Sequence, residues 1–138
     1  MQITRETDYA IRCMNYLTRT YGSVTMMDQI SREMCIPRTF LAKIVQKLVR
    51  AGIVRSYRGV KGGVDLASHP RKNTLLDVVE AVEGPVAMNV CAVDPKGCGF
   101  SSTCAIHPVW VEVRKKVENV LRNKNFADLA GTMRETKQ

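Results

Sequence analysis

Residues 25–67 constrain the fold most. They read as two short helical patterns joined by about four residues, then a strand, a glycine-rich turn and a second strand. Thr25-x-x-Asp28 looks like a capping box with Asp in the acidic place, opening a helix that runs to Met34. Cys35 and Ile36 make the turn, and Pro37 suits a first helical position, where its missing N–H would have no partner anyway. The next helix is expected to bury Phe40, Leu41, Ile44, Leu48 and Val49, with Gly52 closing it. A strand over 53–58, a turn containing Gly59, Gly62 and Gly63, and a strand over 64–67 complete a hairpin. A hairpin that directly follows a helix-turn-helix is a wing, so the expected fold is mainly α with a small β wing: a winged helix-turn-helix.

Charge gives that fold a partner. From Met34 to Val64 the chain has no Asp or Glu, yet it carries Arg38, Lys43, Lys47, Arg50, Arg55, Arg58 and Lys61. A merely solvated surface mixes signs, whereas seven cations without an anion form a one-sign field suited to phosphate. The expected partner is double-stranded DNA, as a palindromic operator. Arg38, Thr39 and Lys43 occupy the base-reaching start of the second helix, and Lys47 and Arg50 are placed for phosphates. On the wing, Arg58 is aimed at a minor groove with Lys61 assisting, and Gly59, Gly62 and Gly63 permit close approach. These glycines precede a strand, not a helix, and their spacing fits neither a P-loop nor a dinucleotide fingerprint.

The remainder divides into three. An amphipathic pattern from Arg5 to Thr20 precedes the helix-turn-helix, and Thr74-x-x-Asp77 caps a further helix with Leu75, Val78, Val79 and Val82 inward, stopped at Gly84-Pro85. Residues 1–84 thus form the winged domain, 85–107 a Gly/Pro/Ser-rich loop, and 108–138 a helix and tail. That helix opens at His107-Pro108 and reaches about Asn123. Its single apolar stripe of Val109, Val113, Val117, Val120 and Leu121 calls for a second copy, hence a homodimer. Phe126, Leu129 and Ala130 are assigned to a short final turn, and 134–138 to a frayed end.

The loop holds Cys91, Cys98, Cys104 and His107 in the spacing C-x6-C-x5-C-x2-H. The close C-x2-C pairs of common structural zinc sites are missing, and wide thiolate spacing in a loop suits an iron–sulfur cluster better; zinc is the lesser alternative. The N-terminus reads as a cytoplasmic start rather than a secretory signal, and no apolar run approaches a membrane span, so reduced thiols are expected. Cys13 and Cys35 read as buried small hydrophobes. His107 is either a ligand or a cap of the long helix, and Asp8, near the start of the first helix, is a carboxylate that the helix dipole favours. With no Ser/His/Asp set, paired carboxylates or nucleotide loop, the chain does not read as an enzyme.

The order Thr7-Asp8-Tyr9-Ala10, helix-turn-helix, Arg58-Gly59-x-x-Gly62-Gly63 wing, three-cysteine loop and long helix resembles the Rrf2 family of bacterial transcription factors over essentially the whole chain. The resemblance implies a homodimeric repressor that senses nitric oxide, redox state or iron–sulfur status. It makes Cys91, Cys98 and Cys104 the thiolate ligands. The fourth ligand is His107, as in the IscR-like branch with two irons, or Asp8 of the other subunit, as in the NsrR-like branch with four. Thr7-Asp8-Tyr9-Ala10 leans toward the latter. The first cysteine gap is one residue longer than the family's usual pattern. The alternatives are a cluster-free thiol- or zinc-based regulator and, in another class, an iron–sulfur carrier or electron-transfer protein.

Overall fold

The computed structural model describes residues 2–135, the side chains of 132–135 excepted. Six helices and one hairpin follow in order: α1 (Arg5–Arg19), α2 (Met27–Met34), α3 (Arg38–Arg50), β1 (Val54–Tyr57), β2 (Gly63–Leu66), α4 (Leu75–Glu83), α5 (His107–Arg122) and α6 (Phe126–Glu135). The expectation of fraying falls mostly outside the described residues; Arg134 and Glu135 lie within α6.

Local chemistry accounts for most of these boundaries. Thr4 caps α1 by accepting from the Thr7 amide, and Thr74 and Asp77 form the expected reciprocal capping box of α4. Gly84, at φ 87°, ends α4. α3 starts at Arg38, so Pro37 is its N-cap, one residue earlier than expected.

The second capping box is not made. α2 begins at Met27 behind Met26, whose side chain makes no capping hydrogen bond. Thr25 is instead buried and exchanges two backbone hydrogen bonds of 2.9 Å with Val64. It acts as a single-residue third strand beside a hairpin whose register pairs Val54 with Leu66 and Tyr57 with Gly63. A Thr-x-x-Asp motif can satisfy its backbone in either way, and the proximity of β2 decided it.

The core lies between α1, α2, α3, α4 and the hairpin. Met14, Leu17, Ile30, Leu41, Ile44 and Leu48 are all but inaccessible there. Phe40 and Val49 depart from expectation, being 39% and 38% exposed. They lie on the flanks of the buried stripe of α3, and Phe40 meets the Tyr9 ring edge-on at 5.5 Å. On α4, Leu76 is buried while Leu75 is half-buried. Cys13 is buried as expected, but Cys35 is exposed. It ends α2 in the left-handed conformation (φ 54°), and the turn carries its side chain outward.

The expected final turn is a ten-residue helix. Phe126 at its start is 0% exposed and belongs to the core of the winged domain. The chain is tied there by Phe126 N–H to the Asn73 carbonyl (3.0 Å) and Leu75 N–H to the Lys124 carbonyl (2.9 Å). Every residue of α5, by contrast, is at least partly exposed; Val109 is 47% and Val120 61% exposed. α5 touches the rest of the chain mainly through α4 and the turn at Val90–Ala92. No helix among the described residues is long and apolar enough to cross a membrane.

Candidate nucleic-acid interface and cysteine loop

α3 presents Thr39, Ala42, Lys43, Gln46 and Arg50 on the face opposite its buried Leu41, Ile44, Val45 and Leu48, and Arg38 is exposed at its start. Arg38 is anchored from below by Asp28 at 2.8 Å, an exposed pair that orients more than it stabilises. Gln46 went unassigned in the sequence, where an uncharged residue adds nothing to a cation count. It lies seven residues beyond Thr39 and three beyond Lys43, a spacing that keeps it on the same face. With Val45, Val49, Arg50 and Ser56 it lines a groove of about 330 Å³ between α3 and β1. Its amide has the donor and acceptor that can read an adenine edge.

Lys47 does not share that open face. Its ammonium lies 2.9 Å from Glu6 Oε1 and donates to the Val82 carbonyl at 3.2 Å. The expectation of a free phosphate contact therefore has to be set against two internal partners.

In the wing, Arg55 is held to Asp65 by two contacts of 3.0 and 3.1 Å, whereas Arg58, Val60 and Lys61 stand exposed at the tip. The glycines divide by cause. Gly59, at φ 100°, faces open space. Gly62 and Gly63 are required by the hairpin itself. A β-carbon on Gly62 would sit 2.5 Å from the Tyr57 carbonyl oxygen, and one on Gly63 2.2 Å from that of Thr25.

In the loop, all five of the chain's cysteines being free thiols, Cys91 is buried and Cys98 and Cys104 are half-buried. Short 3₁₀ turns at Val90–Ala92 and Pro95–Gly97 give the segment local order, capped by Asn89 and Asp94. Arg114 of α5 donates to the Ala92 carbonyl at 2.7 Å and pairs with Glu118, pinning the turn that carries Cys91 against the helix. Among the described residues, no three His, Cys, Asp or Glu side chains converge as a metal site.

His107 begins α5 behind Ile106, so it does not cap that helix. Its Nδ1 is buried with no hydrogen-bond partner among the described residues. Asp8 is exposed and paired with Arg12 at 3.0 Å. The loop thus offers three uncommitted thiols and a buried imidazole nitrogen lacking a partner. The donor set, thiolates with an imidazole, fits an iron–sulfur cluster in type.

A basic helix supported by a second helix and flanked by an exposed basic hairpin defines a winged-helix DNA-binding regulator. Residues 3–132 match the family model of Rrf2, described as an iron-dependent transcriptional regulator, and the chain belongs to that family. It is 32% identical over 136 residues to a protein described as the HTH-type transcriptional regulator Rv1287 of Mycobacterium tuberculosis, covering 95% of this chain and 82% of that one. Among solved structures it is similar to CymR, the global cysteine regulator of B. subtilis (TM-score 0.76, 26% identity, 96% and 98% covered). It also shares the fold of T. potens IscR (TM-score 0.80, 23% identity, 100% and 92% covered). The protein is accordingly a transcriptional regulator, not an enzyme.

Proposed function

We propose that the chain is a homodimeric repressor that binds a palindromic operator, with its affinity set by the state of the cysteine loop. Arg38, Thr39, Lys43 and Gln46 face the major groove, Arg50 the backbone, and Arg58 with Lys61 the adjacent minor groove. α5, with Val109 and Val120 exposed, supplies the dimer contact. The observation that carries the sensing reading is the loop's donor set: free Cys91, Cys98 and Cys104, beside the unpartnered, buried Nδ1 of His107. Cys91, Cys98 and Cys104 would hold an iron–sulfur cluster, completed by His107 or by Asp8 of the second copy. The buried Nδ1 favours His107, since Asp8 would first have to exchange its Arg12 partner.

When bound, the cluster supplies a centre that nitric oxide or oxygen degrades. The residues of the chain do the rest. Arg114 keeps the Cys91 turn on α5, so the order of the loop bears on the helix that spaces two reading heads. Half-sites lie about one helical turn apart, so a small change in that spacing is costly. A second reading, thiol-based sensing without a cluster, draws support from the free and partly exposed thiols of Cys98 and Cys104.

The test is iron and sulfide content with visible absorption on protein purified without oxygen, together with operator affinity before and after iron removal. Stoichiometric iron and sulfide with unequal affinities support the cluster reading. Equal affinities eliminate it. A colourless, iron-free protein whose operator binding responds to oxidants moves the sensing to the thiols.

A further inference from the structure

The last turn of α4 is fastened on two sides. On one side Lys47 of α3 donates to the Val82 carbonyl at 3.2 Å while its ammonium lies 2.9 Å from Glu6 of α1. Carbonyls at a helix C-terminus carry partial negative charge, which an ammonium complements. On the other side a single oxygen of Glu83 accepts from the Thr4 amide (2.9 Å), the Thr4 hydroxyl (2.9 Å) and the Thr7 hydroxyl (2.6 Å). Gly84 then ends the helix and the cysteine loop departs. The recognition helix, the start of α1 and the root of the loop therefore meet at one polar junction. The Lys47 and Glu6 side chains are only 36% and 28% exposed, so solvent screens this pair less than it does the open pairs of the surface.

We propose that Lys47 is a positioning residue, not a phosphate contact: it sets the recognition helix against the end of α4 and so transmits the order of the cysteine loop to the DNA-reading face. The transmission half rests on the sensing reading above. The positioning half stands on the geometry alone.

The two roles of Lys47 differ in sign. If Lys47 met a phosphate, Glu6→Gln would free that cation and raise the net charge by one, so DNA binding would tighten. Lys47→Met would then flatten the dependence of log affinity on log salt by about one unit. A junction predicts the reverse. Glu6→Gln and Lys47→Met each weaken binding to an operator selected from random DNA by roughly three- to tenfold, because the first reduces the charged pair to a neutral contact and the second removes both the Glu6 and the Val82 contacts. The salt slope stays within about half a unit of the wild type, since no phosphate contact is lost. The double variant is no weaker than the poorer single one, because both remove the same pair.

Tighter binding by Glu6→Gln, or a slope loss of about one in Lys47→Met, overturns the assignment. Should Lys47→Met fail to fold by circular dichroism, the sign of the Glu6→Gln effect decides alone. The transmission is read from the ratio of operator affinities between protein reconstituted with ferrous iron and sulfide and iron-free protein. Glu6→Gln is expected to bring that ratio toward one. A wild-type ratio away from one that Glu6→Gln leaves intact overturns the transmission. A wild-type ratio of one removes the sensing reading and the transmission with it, while the salt series still decides whether Lys47 positions α3.

Discussion

Truncating Phe126 to alanine tests whether α6 is part of the winged domain or an appendage. The ring is 0% exposed and sits in the same cluster as Ala10, Met14, Leu17 and Val78. The backbone bonds to Asn73 and Leu75 survive the change, so the loss is confined to ring volume and its contacts. Emptying a buried phenylalanine site costs about 3–5 kcal/mol. Against a total stability of about 5–15 kcal/mol, that is a large fraction. For a chain of this size each kcal/mol moves the midpoint by roughly 3 °C, so Phe126→Ala should melt about 10–15 °C below the wild type. The assay is thermal unfolding followed by far-ultraviolet circular dichroism, at matched protein concentrations so that any self-association shifts both midpoints alike. Val60→Ala is the control: its side chain is 99% exposed, so its midpoint should stay within about 2 °C of the wild type. A loss of less than about 3 °C for Phe126→Ala would mean that α6 opens locally without the core, and the argument from burial would fail.

Gly63→Ala forces a β-carbon to within 2.2 Å of the Thr25 carbonyl oxygen at φ 157°. It should break the Thr25–Val64 pair at a cost of about 1–3 kcal/mol, seen as faster amide exchange at both residues; unchanged protection would refute the clash. Burial alone would raise the Glu83 carboxyl, but hydrogen bonds from Thr7 and Thr4 outweigh it and hold the group below its ordinary value. A depressed carboxylate stabilises fully above its unfolded pKa and ceases to as pH falls through its lower folded value. The melting difference between wild type and Glu83→Gln should therefore be present at neutral pH and close below about pH 4. A gap that persists in acid would show that the hydrogen bonds do not depend on the charge. Finally, burial pushes the Cys13 thiol up to about 12, whereas Cys35 is exposed. Iodoacetamide at mildly alkaline pH should alkylate Cys35 readily and spare Cys13 until the protein unfolds, and equal labelling of the two in folded protein would contradict the packing of α1.

Much of this molecule follows from order along the chain. The capping box at Thr74 and Asp77, the hairpin around its glycines and the amphipathic stripes of α1, α3 and α4 are set by residues three or four apart, or by turn chemistry. Such signals survive without knowing what lies across the core. The acid-free window from Met34 to Val64 and the three cysteines of the loop were equally plain, because residue type alone carries charge and ligand chemistry.

Periodicity could not say what each face would meet. Thr25 carried the signature of a cap and became the partner of Val64, far along the open chain but joined to it by two backbone hydrogen bonds in the folded one. Phe40 and Val49 carried the signature of core, but the neighbouring elements cover only the centre of the α3 stripe. Phe126 was expected only in a short final turn and became part of the core because α6 folds back on α1. Lys47 looked like one more cation of the basic run until Glu6 and the Val82 carbonyl claimed it. The sequence by itself determined which elements form and what chemistry they carry, since those are short-range properties. Only the tertiary structure decided which side chains are used up inside the protein and which remain for DNA, because that depends on contacts between residues tens of positions apart.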